Sequence, residues 1–143
     1  MSEENKVISR RFYEQFFNQG NLSVADELLA ADALDHNPPG PGFATGQEGV
    51  KQVVTMFRSA FPDLHLTIED QIAEGDRVAS RLTARGTHRG ELMGIPPTGK
   101  TVTIGLVDIL RLEGGQIVER WGQVDMLGML QQLGVVPQPG QGG

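Results

Sequence analysis

The C-terminal part of the chain pairs its only tryptophan, Trp121, with a carboxylate four residues later, Asp125. If this segment is a β-strand, alternation places Trp121, Gln123 and Asp125 on one face. A carboxylate buried beside an apolar ring holds a proton more readily than an exposed one. Such a group can take a proton from a carbon next to a carbonyl and later return it. We therefore predict that this strand forms the floor of a small-molecule pocket, with Asp125 as its acid/base group.

Asp125 also has a structural interpretation. The apolar residues that follow it have the spacing of a short amphipathic helix, from about Met126 to Leu133. An Asp directly before a helix accepts hydrogen bonds from the first free backbone N–H groups. On the residues alone, this capping interpretation is favoured over the catalytic one. Trp121 has two interpretations as well, because an indole suits both a pocket wall for an aromatic ligand and a protein core.

Three further polar side chains are candidates for the site. His36 and Asn37 stand before two prolines in a segment whose prolines and glycines predict an irregular loop. There they would polarise a substrate oxygen or relay a proton, whereas Asn37 would equally stabilise a turn. His88 ends a predicted strand, and it would either face the pocket or hold the loop that follows.

Asp108 is a carboxylate in an apolar pattern. It alternates with Leu106 and Leu110, so it is expected on the buried face of a strand. A buried charge requires a partner, and an arginine from the neighbouring strand is the natural one. Structural pairing and a function in the pocket both remain open for this residue.

The elements that must position these groups follow from the periodicity of apolar residues. Helical spacing predicts three helices, at about residues 3–18, 23–30 and 45–61, and Phe57 of the third is expected to line the pocket. Alternating spacing then predicts four strands, at about residues 64–72, 77–88, 101–112 and 116–124, with a tight turn at Gly114-Gly115. A short C-terminal helix closes the chain.

Helices and strands that are segregated along the chain indicate an α+β fold with an antiparallel sheet. We predict a curved four-stranded sheet with the three N-terminal helices on its concave face. This arrangement encloses a conical cavity for a small ligand. Residues 1–136 are expected to form a single domain, and residues 137–143 a flexible C-terminal tail.

Composition excludes several classes of function. The 143 residues carry a formal net charge of −6 with acids and bases interspersed, so a nucleic-acid interface and a polybasic membrane anchor are not expected. Without cysteine, thiolate chemistry is excluded, and no histidine spacing typical of a metal site is present. We expect neither metal nor cofactor. A polar, acidic N-terminus and the lack of a long apolar run predict a cytoplasmic protein.

Several motifs together resemble a known family. Residues 86–100 (GTHRGELMGIPPTGK), 108–111 (DILR) and 115–125 (GQIVERWGQVD) look like the SnoaL-like polyketide cyclase or ester cyclase family. Residues 35–38 (DHNP), 61–63 (FPD) and 74–76 (EGD) fit the same pattern. The resemblance spans nearly the whole chain and implies the cone-shaped fold of the nuclear-transport-factor-2-like superfamily.

The resemblance also implies a reaction. Characterised cyclases of this family close a ring in a polyketide ester by intramolecular aldol condensation without a cofactor, and a single Asp is their acid/base. Asp125 matches that Asp by its W-x-x-x-D position, which favours the catalytic interpretation over capping. His36 and Asn37 match part of the polar set around the new ring. The third strand presents Asp108 and Arg111 where the characterised cyclases have Gln and His.

Two other functions remain open. Related cone-shaped proteins hydrolyse epoxides with paired carboxylates, an arginine and a water, and Asp108 with Asp125 would form such a pair. Alternatively, the chain is a non-catalytic binding and dimerisation module. Its strands carry more apolar residues than one small core face requires, so we expect a homodimer that pairs through the outer face of the sheet.

Overall fold

The computed structural model describes residues 2–137, so the predicted tail lies outside the described residues except for Pro137. The elements follow each other in this order: α1 (Ser2–Arg11), a π-helix (Phe12–Phe17), α2 (Ser23–Leu28), β1 (Leu29–Asp35), α3 (Gly46–Ala60), β2 (His65–Glu74), β3 (Arg77–Thr87), β4 (Thr101–Glu113), β5 (Gln116–Val124) and α4 (Met126–Leu133). The predicted α+β class is confirmed.

The strands form one sheet in the order β1-β5-β4-β3-β2, with antiparallel pairing from β2 through β5. The four predicted strands and their order along the chain are therefore confirmed. Gly114 and Gly115 join β4 to β5 with φ values of +58° and +81°. These left-handed conformations are those that a two-residue hairpin turn requires, and glycine adopts them without steric cost.

The sheet has a fifth strand where helix and loop were expected. The second helix ends at Leu28, and β1 pairs with β5 in parallel. The sequence of β1, LAADALD, contains no β-branched or aromatic residue, so its intrinsic preference does not indicate a strand. It forms because β5 would otherwise present an unpaired edge. The contact between β1 and β5 joins segments that are far apart in sequence.

The helices cover the concave face of the sheet and form two apolar clusters with it. The first cluster packs the π-helix and α2 against the inner residues of the strands, with Phe12, Tyr13 and Phe16 at its centre. The second packs α4, through Met129 and Leu133, on the other end of the sheet. A cavity remains between the helices and the sheet. Within residues 2–137, no helix has both the length and the apolar character needed to cross a membrane.

Candidate active site

The cavity has a volume of about 440 Å³ and differs in polarity between its walls. α3, the sheet and α4 contribute an apolar wall that includes Phe57, Phe61, Ile104, Leu106 and Met129. The polar lining comes from elements that are distant in sequence, and its members are Tyr13, Asp35, His36, Asn37, Arg85, Asp108, Arg120 and Gln123. The cavity can therefore take a ligand with an apolar body and several oxygen atoms.

Asp108 is the most deeply buried carboxylate of the cavity, with 3% of its surface exposed. Its Oδ2 accepts a hydrogen bond from the Tyr13 hydroxyl at 2.9 Å, and its Oδ1 accepts one from Nη2 of Arg120 at 2.8 Å. The predicted inward orientation and the predicted arginine partner from a neighbouring strand are both confirmed. Because each carboxylate oxygen has two acceptor sites, these contacts leave further lone pairs available to a substrate.

Arg120 joins Asp108 to a second carboxylate. Its Nη1 donates to Oδ1 of Asp35 at 2.8 Å and to the carbonyl oxygen of Asn37 at 3.2 Å. Burial alone would lower the pKa of Arg120, but the charges of Asp108 and Asp35 outweigh burial and raise it above the ordinary arginine value. Two carboxylates thus share one permanently charged guanidinium, and the ionised trio carries one net negative charge.

Gly122 makes room for this ion pair. It lies opposite Asp108 across β4 and β5, and a Cβ atom at this position would collide with the Asp108 carboxylate and with the Arg120 guanidinium. Arg120 therefore reaches Asp108 over a site that has no side chain. Any residue other than glycine would have to displace one member of the pair.

Tyr13 enters the cavity from the π-helix and is completely buried. Burial is the main cause that raises the pKa of Tyr13 well above the ordinary tyrosine value, and the charge of Asp108 and its hydrogen bond raise it further. Tyr13 consequently stays neutral at physiological pH. It acts toward Asp108 as a hydrogen-bond donor and not as a base.

Asn37 lies at the rim next to the ion pair. Its side-chain oxygen accepts a hydrogen bond from the backbone N–H of Gly122 at 3.0 Å, and its own backbone N–H donates to Asp35 at 2.9 Å. The first contact assigns the amide oxygen to Gly122 and leaves the NH₂ group without a hydrogen bond to any residue between 2 and 137. That group can donate to a ligand oxygen in the cavity.

Asp125 lies outside this cluster. It is exposed, does not line the cavity, and its Oδ1 accepts a hydrogen bond from the backbone N–H of Gly128 at 2.9 Å. It is thus the N-cap of α4, as the structural interpretation of the sequence expected. The predicted burial beside Trp121 is wrong, and the catalytic assignment of Asp125 stays a prediction.

Trp121 faces the other side of the sheet. Arg120 and Gly122, its neighbours on β5, face the cavity, whereas Trp121 pairs with Ile109 on the outer face. Its ring stacks on His36 at a centroid distance of 4.8 Å, and the guanidinium carbon of Arg77 lies 5.0 Å from its centroid. The expectation that Trp121 lines the cavity is wrong, because the inner face of β5 carries an arginine and a glycine instead of the large aromatic residue.

His36 contributes to the rim of the cavity, but its ring is engaged outside. Its Nε2 lies 2.8 Å from Oε2 of Glu119. This contact is the main cause that lowers the pKa of Glu119, followed by the hydrogen bond from Arg111. The ring of His36 therefore fastens the end of β1 to β5, while the role in catalysis predicted for it stays a prediction.

His88 and Phe57 complete the predicted set. His88 is fully buried and does not line the cavity; its Nδ1 accepts from the backbone N–H of Thr98 at 3.2 Å, so it holds the loop between β3 and β4. This position agrees with the interpretation that His88 holds the loop. Phe57 lines the cavity as expected. The described residues contain no group of three or more His, Cys, Asp or Glu side chains placed to hold a metal ion.

Comparison with known proteins gives a consistent result. The family model described as SnoaL-like polyketide cyclase matches residues 7–133. The chain belongs to this family. It is 32% identical over 119 residues to the nogalonic acid methyl ester cyclase of Streptomyces nogalater, which covers 82% of this chain and 89% of the relative. It is also 32% identical over 130 residues to the aklanonic acid methyl ester cyclase DnrD of Streptomyces peucetius, with 87% of each chain covered.

Solved structures extend the likeness to three dimensions. TsrD from Streptomyces laurentii superimposes with a TM-score of 0.86 at 29% identity, over 95% of this chain and 98% of that protein. The resemblance to the SnoaL-like family that the motifs indicated is therefore confirmed along with the fold.

Four residues of the cluster were not identified from the sequence, namely Tyr13, Asp35, Arg120 and Gly122. Arg120 and Gly122 share a strand face by alternation, so the signal for them existed, but the phase of β5 was assigned from Trp121. Asp35 stands beside His36 in the motif DHNP of residues 35–38. Tyr13 carried no local signal, because it meets Asp108 across 95 residues of sequence.

Proposed function

We propose that this protein closes a ring in a polyketide-like ester by cofactor-independent intramolecular aldol condensation, with Asp108 as the acid/base group. The observation that carries the proposal is the position of Asp108: a buried carboxylate on the cavity wall, held by Tyr13 and Arg120. Fixed geometry of this kind is what a group needs in order to take and return a proton in one bound complex.

The proposed reaction balances without a co-substrate. Asp108 takes a proton from a carbon activated by adjacent carbonyl groups, and the electron pair of the broken C–H bond forms an enolate. The enolate carbon attacks a ketone carbon of the same molecule; one C–C bond forms, and the π electrons move to the ketone oxygen. Asp108 then returns the proton to this oxygen, so the product is an isomer of the substrate.

Charge that develops on the substrate oxygens would be stabilised at the polar wall. The NH₂ group of Asn37 and the guanidinium of Arg120 are two donors among the lining residues of the cavity. Donors that are already oriented stabilise a developing oxyanion without reorganisation at the moment of reaction. The apolar wall around Phe57 would hold the fused-ring body of the substrate.

The test uses the substrates that the relatives' names provide, nogalonic acid methyl ester and aklanonic acid methyl ester. Purified protein is incubated with each ester, and chromatography with mass detection follows a new peak of unchanged mass. Asp108→Asn is expected to lower kcat about 10²- to 10⁴-fold, which is typical for loss of a general acid/base. Asp125→Asn is the matched control and is expected to keep its activity, since Asn caps a helix as well as Asp.

Loss of activity in Asp125→Asn, with activity kept in Asp108→Asn, would assign the acid/base role to Asp125, the residue that the family motif indicated. Binding of either ester without turnover by the wild type would instead support the non-catalytic binding module. Calorimetry with the same two esters separates that outcome from a complete lack of binding.

Epoxide hydrolysis is a second candidate, and the sharing of Arg120 between two carboxylates favours it. The partner of Asp108 in this arrangement is Asp35 and not Asp125, which caps α4. One carboxylate would take a proton from a water molecule whose oxygen bonds to an epoxide carbon. The ring bond between that carbon and the epoxide oxygen would break, and this oxygen would receive the proton, which gives a diol. Incubation with styrene oxide in ¹⁸O-labelled water tests this, because hydrolysis places one labelled oxygen in the diol.

The homodimer and the cytoplasmic location expected from the sequence remain part of the proposal. Val107 and Ile109 support the dimer, since they are 46% and 37% exposed on the outer face of β4. Fractionation of cells that produce the protein at native level would test the location.

A further inference from the structure

We propose that Tyr13 is a positioning residue for Asp108 and that the π-helix orients the Tyr13 side chain toward this carboxylate. This inference rests on the proposed function, in which Asp108 transfers the proton. Within the described residues, the hydroxyl of Tyr13 is one of two side-chain donors to Asp108, together with Arg120. Tyr13 acts through Asp108, and the position of the carboxylate is what it controls.

The π-helix gives Tyr13 its direction. The backbone N–H of Asn18 donates to the carbonyl oxygen of Tyr13 at 2.9 Å, five residues earlier, so this turn is wider than an α-helical turn. π-helical segments are rare and occur frequently at functional sites. Here the wide turn lies at the residue that contacts Asp108, while α1 before it is regular.

Aromatic neighbours fix the Tyr13 ring. The centroid of Phe12 lies 5.2 Å away in an edge-to-face arrangement with an interplanar angle of 67°, and the centroid of Phe17 lies 6.4 Å away. A completely buried ring between such neighbours keeps one orientation. Its hydroxyl therefore approaches Oδ2 of Asp108 from one fixed direction.

Polar residues also lie next to Asp108 on the neighbouring strands of the sheet. Ser80 lies opposite Asp108 across β3 and β4 and is nearly completely buried. The side-chain amide of Gln71 in turn donates to the Ser80 hydroxyl at 3.2 Å. Polar side chains thus occupy β2, β3 and β4 at Gln71, Ser80 and Asp108, and Tyr13 donates to the last of them.

Tyr13 holds the carboxylate but does not exchange protons with it at working pH. Its buried hydroxyl, beside the charge of Asp108, has a pKa well above the ordinary tyrosine value. With Tyr13 on Oδ2 and Arg120 on Oδ1, the carboxylate keeps one rotamer on the cavity wall. Small errors in the position of a proton-transfer group have large effects on rate.

The contact can be tested without any substrate, because Tyr13 is the only tyrosine of the chain. Protein labelled with ¹³C at the tyrosine Cζ gives one resonance, whose position reports the hydrogen bond of the phenol. Asp108→Asn, which removes the charge that the phenol faces, is expected to shift this resonance at neutral pH. Asp125→Asn, at an exposed cap, is expected to leave it unchanged. An unchanged resonance in Asp108→Asn would overturn the contact.

Catalysis gives the second measurement. With nogalonic acid methyl ester, Tyr13→Phe is expected to lower kcat about 10- to 100-fold while KM stays near the wild-type value. Leu133→Ala is the control for lost packing, because Leu133 is buried in α4, away from the π-helix, and does not line the cavity. It should lower thermal stability and leave kcat near the wild-type value.

A Tyr13→Phe variant with wild-type kcat would overturn the positioning role, and so would a Leu133→Ala variant with an equal loss of kcat. If the wild-type protein turns over neither ester, the proposed function fails, and the ¹³C measurement still decides whether Tyr13 and Asp108 are coupled.

Discussion

Asp108 and Gly122 lie directly opposite each other on β4 and β5, and the missing side chain of Gly122 is what allows the Asp108 carboxylate to pair with Arg120. A glycine in a strand normally weakens the sheet, because it packs nothing and loses much backbone entropy. At this position the space is used by a buried ion pair. The geometry of the candidate site thus depends on a residue that contributes no side chain.

Gly122→Ala should therefore damage the site. The new methyl group would collide with both members of the ion pair, and overpacking of this kind costs about 1–3 kcal/mol. We expect a lower free energy of unfolding in urea and a lower kcat with the two methyl esters. Gly105→Ala is the matched control on the exposed face of β4, where the nearest atom to a new Cβ is the carbonyl oxygen of Leu82 at 4.0 Å. If both variants behave alike, the steric argument for Gly122 is wrong.

The contact between His36 and Glu119 should give the protein a stability term that depends on pH. The pKa of Glu119 is lowered by His36 first and by Arg111 second. A carboxylate with a lowered folded-state pKa adds stability above its unfolded-state pKa of about 4.3, and this term disappears as the pH falls through the folded-state value. Glu119→Gln is therefore expected to lower the melting temperature at pH 7 but not in strongly acidic buffer.

The control for this measurement is Glu91→Gln, at an exposed residue of the loop between β3 and β4. Its melting temperature should follow the wild type at every pH. A difference between Glu119→Gln and the wild type that persists unchanged into strongly acidic buffer would contradict the proposed origin of the effect.

His88 offers a direct test of loop support against ligand binding. The ring is fully buried, and its Nδ1 accepts the hydrogen bond from Thr98. His88→Ala is expected to lower the free energy of unfolding by about 2–4 kcal/mol, as for other large buried side chains that are truncated. Because the ring does not line the cavity, KM for the methyl esters should stay near the wild-type value. A raised KM with little loss of stability would instead support the binding role predicted from the sequence.

The proposed homodimer can be tested at the outer face of β4. Ile109→Glu places a charge at an exposed apolar position beside Trp121. We expect light scattering at micromolar concentration to give the mass of a dimer for the wild type and a shift toward the monomer for the variant. Val7→Glu, at an exposed residue of α1, adds the same charge elsewhere and should not change the mass. A monomeric wild type would exclude this dimer under these conditions.

The sequence by itself determined most of the local structure of this protein. Spacing near four predicted α3, alternation predicted the four antiparallel strands, and Gly114-Gly115 and Gly134 marked a hairpin and a helix end, both of which have left-handed backbone. The apolar neighbours of Asp108 also predicted its burial and its arginine partner. These features depend on residues close in sequence or on the simple rule that a buried charge is paired.

Only the tertiary structure decided which groups meet in the cavity. Strand β1 exists because β5 has a free edge, and the phase of β5 points Arg120 inward and Trp121 outward. Tyr13 reaches Asp108 through a π-helical turn that the spacing of apolar residues does not predict. Such contacts join residues that are far apart in the chain, and their energy depends on the packing of the whole sheet and its helices, so no local pattern of residues records them.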